Sequence, residues 1–157
     1  MKHKILFVCL GNICRSPLAE GILRNKAAEQ GLNIEVDSCG TAGYHIGEQP
    51  DPRSIAKAKE YGIDISMLRG RKFSKSDFDT FDRILVMDKS NYADVIDLAK
   101  DTNHQSKVEM VLNIGQNSNY LNVPDPYYGG EEGFQEVYDL LDKACDLIIE
   151  QCKHGRI

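Results

Sequence analysis

Ile5-Leu6-Phe7-Val8-Cys9-Leu10-Gly11-Asn12-Ile13-Cys14-Arg15-Ser16-Pro17 is the stretch that decides the fold. Its first four residues are a continuous apolar run, the pattern of a strand buried on both faces. A glycine-containing loop follows. Pro17 then opens a helical pattern, with Ser16 in the natural N-cap place before it. Leu18 and Ile22, and likewise Ala19, Leu23 and Ala27, recur four apart as an apolar stripe, and Gly31 ends it.

Outward from this unit the alternation continues. Residues 34–38 read as a second strand. Asp51-Pro52 starts a helix that Gly62 closes. Residues 83–87, with Ile-Leu-Val-Met, read as a third buried strand, followed by a helix over about 89–100. Residues 108–112 read as a fourth strand. The last helix runs from about 133 to 153, with Phe134, Val137, Tyr138, Leu141, Cys145 and Ile148 on one broad face. Alternating strands and helices predict an α/β fold. The expected form is a single three-layer domain over residues 1–157, with a four-stranded parallel sheet flanked by helices and a phosphate-binding loop after the first strand. Residues 40–49 and 113–130 resist assignment and read as long loops, which in compact domains are often functional. Ligands of such sheets bind beyond the C-terminal ends of the strands, where the first loop lies.

Composition narrows the function classes. At 157 residues the chain suits one domain and can bury a core without a disulfide or metal staple. The apolar run at residues 5–10 is far short of the roughly 18 residues of a membrane span, and no cleavage site follows it. A cytoplasmic protein that does not engage membranes is expected. The net charge of −5 argues against a nucleic-acid partner. That charge is uneven: residues 1–72 carry +3 and residues 73–157 carry −8, which places any anion site in the first half. The five cysteines, Cys9, Cys14, Cys39, Cys145 and Cys152, cannot all pair within the chain, so free thiols are expected.

The loop from Cys9 to Ser16 carries chemistry. Backbone amides in a loop between a strand and a helix N-terminus can point inward as an anion cradle, and the helix dipole adds to it. Gly11 and Asn12 tolerate the unusual backbone angles this needs. Arg15 offers a planar fork for phosphate oxygens. Cys9, at the strand end, faces the same positive field, which favours its thiolate form, and the Ser16 hydroxyl can donate to its sulfur. Other phosphate loops are excluded: neither G-x-x-x-x-G-K-[ST] nor G-x-G-x-x-G occurs. Cys9 and Cys14 lack His or Cys partners at zinc spacing, and the four histidines are scattered, so neither metal nor cofactor is expected.

The run from Val8 to Pro17 resembles the signature of the low-molecular-weight protein tyrosine phosphatases. A second similar motif, Asp125-Pro126-Tyr127-Tyr128 followed by Gly129-Gly130, lies about 115 residues further on. The resemblance spans essentially the whole chain, including Asp37-Ser38, Phe81-Asp82 and Met87-Asp88. It implies that Cys9 attacks phosphorus to form a cysteinyl-phosphate. Arg15 and the loop from Leu10 through Gly11, Asn12, Ile13 and Cys14 to Ser16 would hold the phosphate oxygens. Asp125 would protonate the leaving phenolate and then activate water. Asn12, Ser16 and Ser38 would support the loop, and Tyr44, Tyr127 and Tyr128 would wall the cleft. The implied partners are phosphotyrosine-containing proteins or small aryl phosphates, with inorganic phosphate as product. A monomer is expected, with weak dimerisation left open. Cys14 is close enough in sequence to trap an oxidised Cys9 as a disulfide. Leu68 stands near where many family members carry a loop-supporting histidine, and Arg69 is the candidate to replace it.

Three alternatives compete. An arsenate reductase on the same fold needs further redox cysteines, and residues 40–144 contain none. A protein arginine phosphatase would favour threonine at Ile13. A non-catalytic phosphate-binding or redox-sensing module leaves the set Cys9, Arg15 and Asp125 without a purpose.

Overall fold

The computed structural model describes residues 2–114, 122–126 and 130–155. Strands β1 (His3–Cys9), β2 (Ile34–Gly40), β3 (Arg83–Val86) and β4 (Val108–Met110) form one parallel sheet in the order β2-β1-β3-β4. Because side chains alternate along a strand, β1 feeds two cores. Ile5, Phe7 and Cys9 pack on one side with α1 (Arg15–Glu29), α2 (Pro52–Glu60) and α6 (Glu131–Lys153). Leu6 and Val8 pack on the other, with Phe78 from α3 (Asp77–Thr80) and Val95 from α4 (Lys89–Ile96). Helices therefore cover both faces of a four-stranded parallel sheet, as the alternation predicts.

The boundaries differ in ways the local chemistry explains. Ser16 is not the N-cap of α1. Cys14 caps it and the helix starts at Arg15, because the Ser16 hydroxyl is turned to the loop instead. The helix expected over 89–100 ends at Ile96, and Asp101 caps a separate short helix, α5 (Thr102–Ser106), by accepting from the His104 amide at 2.9 Å. The fourth strand stops at Met110 and passes into a 3₁₀ turn at Val111–Asn113. Helix α3 lies in a stretch that carries no helical periodicity of its own, and the last helix begins two residues earlier than expected. Asp51 caps α2, accepting from the Arg53 amide at 2.8 Å, as its place before Pro52 predicts.

This topology creates the site. The chain leaves β1 toward β2 on one side, and β3 lies on the other side of β1. The C-terminal ends of β1 and β3 thus flank the point where the winding reverses, the usual place for a ligand crevice.

Candidate active site

The loop leaving β1 is held in an unusual shape from several directions. Asn12 has φ of +59°, a left-handed conformation that asparagine adopts more readily than other non-glycine residues. Its side chain is saturated. Nδ2 donates to Ser16 Oγ at 2.8 Å and to Ser38 Oγ at 3.0 Å, and Oδ1 accepts from the Arg71 amide at 3.0 Å. Gly40 lets the end of β2 come close: a Cβ there would lie 2.6 Å from the Leu10 carbonyl oxygen and 3.1 Å from the Asn12 nitrogen. The Thr41 and Ala42 amides then donate to the Cys9 and Leu10 carbonyls at 2.9 Å each.

So shaped, the loop aims donors at the sulfur of Cys9. The Asn12 amide lies 3.3 Å from Sγ and the Ser16 Oγ 3.0 Å from it. Ser16 accepts from Asn12; its single proton can go to Cys9 Sγ or to the Cys39 carbonyl oxygen at 3.3 Å, and a protonated Cys9 can instead donate to the second lone pair of Ser16 Oγ. Negative charge on sulfur draws the Ser16 proton toward it.

Arg15 is only 2% exposed. Its Nη1 donates to Asp88 Oδ2 at 2.7 Å and to the Val123 carbonyl at 2.9 Å, and Nη2 lies 3.7 Å from Asp125 Oδ2. Burial alone would lower its affinity for a proton. Cys9, Asp88 and Asp125 outweigh burial and keep the guanidinium charged. Asp88 also caps α4 through the Asn91 amide, so one carboxylate fixes both a helix and the arginine.

These groups open into a pocket of about 250 Å³, lined by Cys9, Leu10, Gly11, Ile13, Cys14, Arg15, Tyr44, His45 and Asp125. Cys9 and Arg15 thus share one cavity with Asp125, which follows them by more than 100 residues in sequence. Asn12, Ser16 and Ser38 form the support behind it. Tyr44 stands at the rim, 74% exposed, edge-on to His45. Tyr127 and Tyr128 lie outside the described residues. Among the described residues no group of three His, Cys, Asp or Glu is placed to hold a metal ion, and no helix is long and apolar enough to cross a membrane.

The profile of the low molecular weight phosphotyrosine protein phosphatases matches residues 4–156. The chain belongs to that family. It is 44% identical over 138 residues to the low molecular weight phosphotyrosine protein phosphatase of Schizosaccharomyces pombe, covering 86% of this chain and 87% of that protein. With the human protein of the same description it shares 40% over 153 residues, 94% of each chain. The crystal structure of a protein tyrosine phosphatase from Entamoeba histolytica superposes with a TM-score of 0.92 at 37% identity, covering 99% of this chain and all of that one.

Several parts of this phosphatase site carry weak sequence signals. Asp88 is readable as a helix cap after a strand, but its contact with Arg15 is not. His45 lines the pocket, its ring against Gly11, where a Cβ would sit 3.1 Å from His45 Cδ2. Arg69 does not support the loop: it donates to the Ser66 and Leu68 carbonyls. Leu68 packs against the core, and the main-chain N–H of Arg71 takes over the contact to Asn12. The Arg71 side chain is gripped by Asp37 and by both oxygens of Asp77, which fixes that backbone. Behind Ser38 stands Glu20, 3% exposed, which accepts from Ser38 Oγ at 2.6 Å and from Arg24.

Proposed function

We propose that this phosphatase hydrolyses aryl phosphomonoesters, phosphotyrosine in proteins and small aryl phosphates, through a phosphoryl group held transiently on Cys9. The observation that supports this most is the shared pocket: a sulfur facing an amide and a hydroxyl donor, an immobilised arginine, and a carboxyl group on the same wall. In the first step the Cys9 sulfur attacks phosphorus in line with the leaving oxygen. Arg15 and the loop amides take up the equatorial oxygens, and Asp125 protonates the departing phenolate. Water, activated by the now ionised Asp125, then releases inorganic phosphate. Ser16 shares a proton with Cys9 in the resting state and steadies the thiolate as it departs in this second step. Tyr44 and His45 at the rim favour a flat aryl group deep enough to reach Cys9. The chemistry calls on no metal, because the cradle itself carries the positive charge.

Hydrolysis of p-nitrophenyl phosphate and of phosphotyrosine, phosphoserine and phosphoarginine peptides, with EDTA present, tests the reading. The wild type is expected to act on the aryl substrates. Cys9→Ser should lose all turnover and Asp125→Asn about 10²–10⁴-fold. Full activity in Cys9→Ser would refute the assignment, and a preference for phosphoarginine would replace the substrate class. Five thiols suit a reducing cytoplasm. Cys14 lines the same pocket and is placed to condense with a peroxide-oxidised Cys9 sulfenic acid, releasing water. Disulfide mapping after peroxide treatment checks that pairing.

A further inference from the structure

Lys57 is unusually well covered for a lysine near the surface. Its side chain is 1% exposed, on the face of α2 that meets α6. Lysine is rarely buried to this degree unless it is paired. An ammonium has three N–H donors, and here three acceptors meet it: Glu131 Oε1, Gln135 Oε1 at 2.7 Å and Glu60 Oε2 at 3.0 Å. Glu131 and Gln135 belong to the first two turns of α6. Gln135 passes the connection on, donating to Tyr61 Oη at 2.8 Å and to Asp139 at 2.9 Å.

The two ends of α2 touch the two halves of the active site. At its start the Asp51 amide donates to the Ile13 carbonyl at 2.7 Å, and Ser54 Oγ donates to the Cys14 carbonyl at 3.4 Å, so α2 is bonded to the phosphate loop. At its far end Lys57 holds the first turn of α6. That turn follows Asp125 by six residues and carries Gly133, against which Pro126 rests: a Cβ on Gly133 would lie 3.7 Å from Pro126 Cβ. Between them the Arg53 guanidinium lies over the Phe134 ring, 4.8 Å from its centre. Upstream, the Val123 amide donates to the carbonyl of Met87, the residue just after β3, at 2.8 Å. The segment bearing Asp125 is therefore hydrogen-bonded at Val123 to the residue that follows β3, and at Pro126 it lies beside Gly133 of α6.

We propose that Lys57 is a positioning residue for Asp125: by clamping the first turn of α6 to the helix that carries the phosphate loop, it sets where the carboxyl group stands relative to the leaving oxygen. The inference rests on Asp125 acting as the acid. It concerns a residue that touches neither substrate nor Asp125.

The dependence of kcat/KM on the leaving group tests it, because that ratio reports transfer of the phosphoryl group to Cys9. A well-placed acid makes the rate nearly indifferent to the acidity of the departing phenol. A displaced acid leaves charge on the oxygen, and poor leaving groups then suffer most. Lys57→Met keeps the apolar stem and removes the ammonium. Its kcat/KM should fall about tenfold for phenyl phosphate and less than threefold for a dinitrophenyl phosphate, with the affinity for inorganic phosphate unchanged. Lys57→Arg should restore most of the phenyl phosphate rate. If Lys57→Met does not fold, Glu131→Gln, at the exposed end of the clamp, should show the same steepened profile. A uniform fall across the series, or none, overturns the positioning role. A flat profile for Asp125→Asn would instead overturn the acid assignment, so the two failures are told apart.

Discussion

Cys14 and Cys9 line the same pocket yet stand in different chemical situations. Burial, reinforced by the carboxylate of Asp51 and by Cys9 and Asp125, pushes the Cys14 thiol up to about 12, with a hydrogen bond from Ser54 opposing in part. Burial likewise pushes Cys152 up to about 11 and Cys39 and Cys145 well above their ordinary value. A thiol whose proton is held this tightly stays protonated through neutral pH, and the thiolate is the reacting form. Cys9 differs in its surroundings: its sulfur faces the pocket beside an amide and a hydroxyl. Iodoacetamide at pH 7 is therefore expected to label the folded protein at Cys9 alone, and at all five cysteines once guanidinium unfolds it. Peptide mapping by mass spectrometry reads the result. Labelling of Cys14 in the folded state as fast as Cys9 would contradict the contrast.

Three elements converge on Asn12, and their coupling has a pH signature. Ser38 from β2 accepts from Asn12 and donates to Glu20 of α1. Burial pushes the Glu20 carboxyl above its ordinary value, while Ser38 and Arg24 pull it partly back. An acid raised on folding holds its proton more tightly in the folded chain. Its contribution to stability is thus full below about pH 4.5 and is lost as the pH rises through the folded value. Ser38→Ala removes a donor to the ionised form, raises that value further, and leaves Asn12 short of an acceptor. The variant should lose about 1–3 kcal/mol of stability at pH 7 and distinctly less at pH 4. Urea titrations at the two pH values measure this, and equal losses would acquit Glu20. The network also marks the limit of what the chain reveals by itself. The cradle from Cys9 to Ser16 is legible because its parts are consecutive, and the strands because both faces of β1 and β3 are buried and leave unbroken apolar runs. Ser38 and Arg71 reach Asn12 across 26 and 59 residues, and Arg71 does so through its backbone, where residue type leaves no trace. Glu20 and Lys57 look like ordinary charges on helix surfaces until the fold covers them. The break after Ile96 turns on one capping side chain, Asp101, inside an otherwise polar stretch.

Over the whole molecule, a net charge of −5 surrounds a site proposed to hold a dianion. The conflict is settled by distance. Surface charges more than a Debye length away, about 10 Å at 0.1 M salt, are largely screened, whereas Arg15, 2% exposed, and the loop amides would act on the proposed dianion at contact. Because the loop grows directly out of β1, which supplies side chains to both cores, holding the loop holds the sheet. A phosphate bound there should stabilise the fold as a unit rather than one loop. At a phosphate concentration 100 times its dissociation constant the linkage amounts to about 2.7 kcal/mol, which for a chain of this size raises Tm by roughly 5–11 °C. Arg15→Lys keeps a positive charge but loses the planar fork, and at the same phosphate concentration it should show less than half that shift. Sulfate, of similar shape and charge, should shift the wild type in the same direction, while chloride at matched ionic strength should not. Calorimetry with the three salts decides the point. An equal rise in all three, or an undiminished rise in Arg15→Lys, would place the effect in general screening of the acidic surface instead of in the cradle.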